Sequence, residues 1–244
     1  MKSKVGDNIS MVTSGWSFNS IEKKFDKHIL KSVPFYNQFH EISLKLSEFF
    51  ITDDANILDI GCSTGTFLID LSKKYQKKNY KINFLGIDPV NSMIKNAKKK
   101  NKDSRVQFLK KSIFDLKKKN YTFISAILTL QFIPPSQRQK AYSIIYNSLN
   151  VGGGLIIFEK VRASHSKNEE ISVGVYNDFK RSNGFSEQEI NQKALSLRGK
   201  MECYTPEENS KLLKNAGFSK IFRVFKWFGF EGVLCFKILF LFYI

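Results

Sequence analysis

The sequence predicts a single-domain α/β fold, an open and mostly parallel sheet covered by helices on both faces. Three observations carry that expectation. Short apolar runs of strand character recur along the chain. They are separated by helical stretches of about 10–15 residues, the spacing that crossover connections require. The first such run, Asn56–Ile60, ends in a glycine-rich turn that opens directly into a helix. Finally, 244 residues with 42% hydrophobic content and 23 phenylalanines suffice for one well-packed core and exclude a disordered chain.

The elements follow in order. Residues 1–54 carry a turn at Pro34 and a helix through Phe39, Ile42, Leu46, Phe49 and Phe50. Asn56–Ile60 reads as a buried strand, and Thr66–Lys78 as a helix with Phe67, Leu68 and Leu71 on one stripe. Lys81–Ile87 is the next strand, and Asn91–Lys100 a helix behind an asparagine cap. Val106–Leu109, Tyr121–Leu128 and Gly154–Phe158 continue the sheet, with a helix from Ser136 to Leu149 between the last two. Residues 55–160 are therefore the core, and 161–204 a helical insertion, mostly one helix over Asn168–Arg198. In 205–244, Thr205 caps a helix with Pro206 at its first position, Gly217 ends it, and Ser219–Phe228 and Glu231–Phe236 close as a hairpin. The segments 1–54 and 161–204 are expected to form a lid, because a parallel sheet opens its ligand crevice at the carboxyl ends of its strands.

Composition narrows the classes. Cys62, Cys203 and Cys235 are too few and too scattered for a disulfide framework or a zinc cluster. No metal is expected, and a reducing compartment is. Residues 1–19 lack the apolar core of a leader, and Glu231 and Lys237 interrupt the apolar tail Phe228–Ile244. The expected location is the cytoplasm, without a membrane. The net charge of +17 is concentrated between Lys73 and Lys119, where fifteen lysines and Arg105 face three acids. Lysine so outnumbers arginine, the residue suited to planar phosphate contacts, that solvated helix backs are the preferred reading over an RNA-binding face.

The sharpest local signal is Leu58-Asp59-Ile60-Gly61-Cys62-Ser63-Thr64-Gly65-Thr66. Gly61 allows a ligand to approach the backbone, and Gly65 permits the tight turn into the helix. The turn lacks the Gly-Lys-Ser/Thr of a phosphate loop and the full dinucleotide fingerprint. Asp88, ending the next strand, is placed to accept hydrogen bonds from ribose hydroxyls. Followed by Met93 and Ala97, this pattern resembles the class I S-adenosylmethionine-dependent methyltransferases. The resemblance implies a Rossmann-like, seven-stranded sheet with a helical lid, and S-adenosyl-L-methionine as cofactor.

Further segments resemble a narrower group. They are Lys31-Ser32-Val33-Pro34-Phe35-Tyr36, Thr129-Leu130-Gln131-Phe132, Leu149-Asn150-Val151-Gly152-Gly153-Gly154, Glu159-Lys160 and Asp178-Phe179-Lys180-Arg181-Ser182-Asn183-Gly184-Phe185-Ser186. Together, from about Trp16 to Lys237, they look like the carboxy-S-adenosyl-L-methionine synthase family, which supplies a carboxymethyl donor for wobble-uridine modification of tRNA. The resemblance implies donor contacts at Tyr36, Gly61, Cys62, Ser63, Asp88, Pro89, Ser112 and Ile113, and homodimerisation. Three positions depart from the family. Ser112 stands where it has Asp, Ile127 where it has Asn, and Ala194 where it has the Arg that holds the extra carboxylate. A methyl group cannot replace a guanidinium in pairing a carboxylate. Arg198, one helical turn on, is the candidate to reach the same space.

With the nucleotide end intact and the carboxylate clamp altered, plain methyl transfer to an unidentified small-molecule acceptor is the first expectation. Such transfer chiefly needs alignment and exclusion of water. The alternative is carboxy-S-adenosyl-L-methionine synthesis with prephenate as carboxyl source. A third reading is a donor-binding subunit without catalysis, and RNA as acceptor ranks fourth. His28, His40 and His165 form no metal spacing or triad and read as surface or capped histidines. Tyr36 and Glu159 are the candidates to orient or deprotonate an acceptor. Cys62 reads as a small loop residue and not a nucleophile.

Overall fold

The computed structural model describes residues 3–7, 9–11, 17–18, 21–78, 80–117 and 120–238. Trp16, where the family resemblance begins, Lys118 and Lys119 of the basic run, and 239–244 of the apolar tail lie outside the described residues. A short antiparallel pair, β1 (Ser3–Lys4) and β2 (Ser10–Met11), comes first, and the sequence reading contains no such element. Helices α1 (Glu22–Ser32) and α2 (Tyr36–Leu46) follow. The expected helix through Phe50 stops at Leu46 and tightens into a 3₁₀ turn, Ser47–Phe49. That turn splits its two aromatics: Phe49 faces solvent, and Phe50 stacks on Phe123.

The core then alternates as expected: β3 (Asn56–Ile60), α3 (Thr66–Lys74), β4 (Asn83–Asp88), α4 (Asn91–Lys100), β5 (Val106–Lys110), β6 (Tyr121–Ile127), α5 (Pro135–Ser148) and β7 (Leu149–Lys160). Two details differ. No asparagine caps α4; Val90 precedes it, and the Val90 amide donates instead to Asp88. The insertion is two helices, α6 (Ser166–Ser182) and α7 (Glu187–Ser196). The chain breaks between them at Gly184, with φ +86°, and a reciprocal Ser186–Glu189 capping box starts α7. Helix α8 (Pro206–Ala216) has the expected Thr205 cap and Gly217 terminus, and β8 (Lys220–Trp227) and β9 (Phe230–Phe236) form the hairpin.

The seven-stranded sheet has the order β5-β4-β3-β6-β7-β9-β8. The first five strands are parallel, and β9 runs antiparallel to β7. Alternation along each strand divides the core into two faces. Ile57, Ile156 and Phe158 pack with Phe39, Phe67, Leu68 and Ile94 from α2, α3 and α4. Leu58, Ile60, Leu155 and Ile157 pack with Ala141, Tyr142, Ile145 and Leu213 from α5 and α8. A third cluster, Val5, Ile9, Met11, Ile21 and Met93, seals the β1–β2 pair onto the core. Among the described residues no helix is long and apolar enough to cross a membrane.

Candidate functional site

The carboxyl ends of β3, β4, β6 and β7 open into a cavity of about 500 Å³, roofed by α1, α2, α6 and α7. The switch in strand order between β3 and β6 lies beneath it, the position where open α/β sheets bind ligands. Tyr36, Gly61, Cys62, Ser63, Asp88, Pro89, Ser112, Ile113, Ile127 and Arg198 all line this cavity. Tyr36 and Arg198, 162 positions apart in the chain, thus meet at one cavity.

The turn after β3 is tied to the end of β4 by its own amides. The amides of Gly61 and Cys62 both donate to the Ile87 carbonyl, at 2.8 and 3.0 Å. Gly61 has φ +70°, and a Cβ there would lie 2.1 Å from the Thr129 hydroxyl oxygen. The glycine is therefore required by the Thr129 side chain, whose hydroxyl donates to the carbonyls of Ile60 and Ile127. Gly65, with φ +79°, abuts Phe108 and Ala97 and shapes the start of α3 without lining the cavity. Cys62 is buried, and burial pushes its thiol well above the ordinary range, so it stays a neutral, unreactive group.

Asp88 is a buried carboxylate with two fixed partners. One oxygen accepts from the Ser63 amide at 3.0 Å and the other from the Val90 amide at 2.8 Å. Burial raises its pKa, and those two bonds oppose the rise. Each oxygen keeps a further lone pair for a ligand hydroxyl. The sequence reading gave no role to Asp59, yet it too lines the cavity, where burial raises it to about 7 against a 2.7 Å bond from Ser125. Its signal was its place in β3, on the same face as Gly61.

The roof is aromatic and titratable. The Tyr36 and His40 rings lie 4.3 Å apart, and burial raises the Tyr36 hydroxyl and lowers His40 to about 4. His28 is not a surface residue either. Burial, followed by the charge of Lys193, lowers it to about 4. Its Nδ1 lies 2.9 Å from Asp7 and its Nε2 2.7 Å from Lys193. His165 alone of the three histidines is exposed.

Glu159 does not join the site. Alternation turns it to the β7 face of Leu155 and Ile157, into a small separate cavity with Tyr142, Asn209 and Glu231. Burial raises it to about 7 there. Its neighbour Lys160 points the other way, into the main cavity, together with Lys180 and Lys193. Ala194 lines the cavity as well. Arg198 enters from the turn after α7, exposed at the rim, and not from a continued helix. Among the described residues no group of three metal-ligating side chains occurs.

Residues 57–153 match a family model described as a methyltransferase domain. The carboxy-S-adenosyl-L-methionine synthase of Staphylococcus epidermidis is 36% identical over 224 residues, covering 91% of this chain and 97% of that protein. The chain belongs to the carboxy-S-adenosyl-L-methionine synthase family. The namesake enzyme of Nautilia profundicola is 38% identical, over 87% of this chain and 90% of its own length. A solved structure of magnesium protoporphyrin IX methyltransferase from Synechocystis, with bound SAH, superposes with a TM-score of 0.63. At 13% identity, over 90% of this chain and 96% of that one, it shares the fold alone. The expectation of a Rossmann-like transferase that uses S-adenosyl-L-methionine holds. The ranking of plain methyl transfer above carboxy-donor synthesis is not what the family relationship favours.

Proposed function

We propose that the protein is a carboxy-S-adenosyl-L-methionine synthase, which installs a carboxyl group on the sulfonium methyl of S-adenosyl-L-methionine with prephenate as the carboxyl source. The observation that supports this most is the extent of the relationship, 36% identity across 97% of a relative bearing that name. In this reading the ribose hydroxyls donate to the free lone pairs of Asp88, and the adenine lies along Pro89, Ser112 and Ile113. Asp59 faces the donor's ammonium group, which would lower its pKa and keep it ionised. Tyr36 closes over the donor from α2, and the buried, neutral His40 behind it keeps that wall free of charge. Carboxylation breaks a methyl C–H bond as the new C–C bond forms. Prephenate, on becoming phenylpyruvate, releases carbon dioxide and hydroxide; the hydroxide takes the methyl proton as water, and the carbon dioxide bonds the resulting ylide carbon. The chain's contribution is alignment in a water-excluded cavity, with Glu159 outside it.

The Ala194 methyl in the cavity wall favours the second reading, plain methyl transfer, because the family's arginine is missing there. One experiment separates the two. The protein is incubated with S-adenosyl-L-methionine and prephenate and the nucleoside is analysed by mass spectrometry. A product heavier by one carbon dioxide unit supports the synthase. Unchanged donor, with S-adenosylhomocysteine appearing only when an acceptor is added, supports methyl transfer.

A further inference from the structure

The cavity gathers three lysines from three separate segments. Lys160 ends β7, Lys180 lies in the last turn of α6, and Lys193 lies in the last turn of α7. Lys160 and Lys180 share one aromatic partner. The Tyr176 ring centre is 4.9 Å from the Lys160 ammonium and 4.1 Å from that of Lys180. The Tyr176 hydroxyl is anchored on the Ser32 carbonyl at 2.8 Å, which fixes the ring. Lys193 is held from behind. His28, neutral at physiological pH, donates from Nδ1 to Asp7 and so leaves Nε2 to accept from the Lys193 ammonium.

Like charges converge here at a cost. Lys180 is buried, and no carboxylate among the described residues lies within ion-pair distance of Lys160 or Lys180. Burial first, then the neighbouring lysines, lowers Lys193 to about 7 and Lys180 to about 8. Buried cations ordinarily sit against an anion. The cluster lies at the right place for one. Asp88 ends β4, and Lys160 ends β7, three strands along the sheet. At the usual strand spacing that is about 14 Å, a span that carries a ligand from its ribose to beyond its sulfonium.

We propose that Lys160, Lys180 and Lys193 form a carboxylate-accepting subsite at the far end of the cavity, doing in this chain what an arginine at position 194 would do. The ligand chemistry is a carboxylate, carried by the carboxylated donor or by the carboxyl source. The inference rests on the synthase reading for the identity of that ligand, and its test reads binding and not turnover. Failure of one is thus distinguishable from failure of the other.

The test is calorimetric titration of wild type, Lys180→Met, Lys193→Met and the double variant Lys193→Met/Ala194→Arg. The probes are S-adenosyl-L-methionine, carboxy-S-adenosyl-L-methionine and prephenate. Removing one charged hydrogen-bond donor is expected to weaken carboxy-S-adenosyl-L-methionine at least tenfold while S-adenosyl-L-methionine stays within threefold. Weakening of prephenate alone by at least tenfold supports the subsite and assigns its carboxylate to the carboxyl source. The double variant is expected to recover most of the lost affinity, which a merely misfolded Lys193→Met protein cannot do. Equal loss for all three probes, or no loss for either carboxylate probe, overturns the proposal.

Discussion

Asp88→Ala is the most informative single substitution, because the structure gives that carboxylate two separable jobs. It is buried, and each oxygen already accepts one backbone amide, from Ser63 and from Val90. Its remaining lone pairs are those assigned above to the ribose. A hydrogen bond to a charged group contributes about 1.5–3 kcal/mol, so losing one ribose bond weakens donor binding by about 10- to 150-fold. Loss of the second takes the effect to the upper part of that range or past it. Separately, two buried amides lose their acceptor, at about 1–3 kcal/mol each, offset in part by relief of a buried charge. A net cost near 2 kcal/mol lowers the melting midpoint by about 4–8 °C for a chain of this size. Calorimetry with S-adenosylhomocysteine reads the first effect and thermal melting of the free protein reads the second. If the melting point falls and affinity stays within threefold, Asp88 is a scaffold for the Ser63 turn, and the ribose assignment is wrong.

Three other outcomes are expected. Gly61→Ala forces a Cβ against the Thr129 hydroxyl at a left-handed φ, and should cost about 2–5 kcal/mol in denaturant titration; a cost below 1 kcal/mol contradicts the tight turn. Deprotonation of two cavity lysines should contribute stability to the free protein between pH 7 and 9. Lys193 and Lys180 lose their protons near 7 and 8 when folded and near 10.4 when unfolded, so the unfolded chain binds more protons in that window. Asp59 and Glu159, raised to about 7, and the buried Cys62 thiol act in the opposite sense in the same window, so the lysine effect is read as a difference. Each lysine adds at most about 1.4 kcal/mol per pH unit, and the wild-type curve should rise relative to that of Lys193→Met between pH 7 and 9; parallel curves contradict the buried placement. Cys62 should be alkylated at least about tenfold more slowly in native protein at pH 8 than in denaturant, since its thiol is buried and neutral.

Local signals made the core legible. The β3 run, the Gly61 turn, the Thr205 box and the Gly217 terminus each follow from backbone chemistry within a few residues, and all appear as read. The α6–α7 break escaped because Gly184 was read as part of a family motif and not as a left-handed stop. Glu159 was placed in the crevice by its position at a strand end, although period-two alternation turns it to the opposite face and sends Lys160 inward. Asp7, His28 and Lys193 come from distant segments, and only packing of the β1–β2 pair against α7, with its turn residue Asp7 on α1, brings them together. No pattern in the chain marks Lys160, Lys180 and Lys193 as neighbours, because their convergence depends on how the lid helices pack. The Ala194 departure was legible, but its consequence was not, since that required seeing which cations share the wall with it.

In the proposed reading the cavity holds a carboxylated nucleoside sulfonium made by this protein. Native mass spectrometry of protein purified gently from cells able to make prephenate tests it most directly. Bound carboxy-S-adenosyl-L-methionine, absent from an Asp88→Ala sample, is the predicted result. Protein carrying only S-adenosylmethionine or S-adenosylhomocysteine, with the carboxylated compound undetectable, would contradict it.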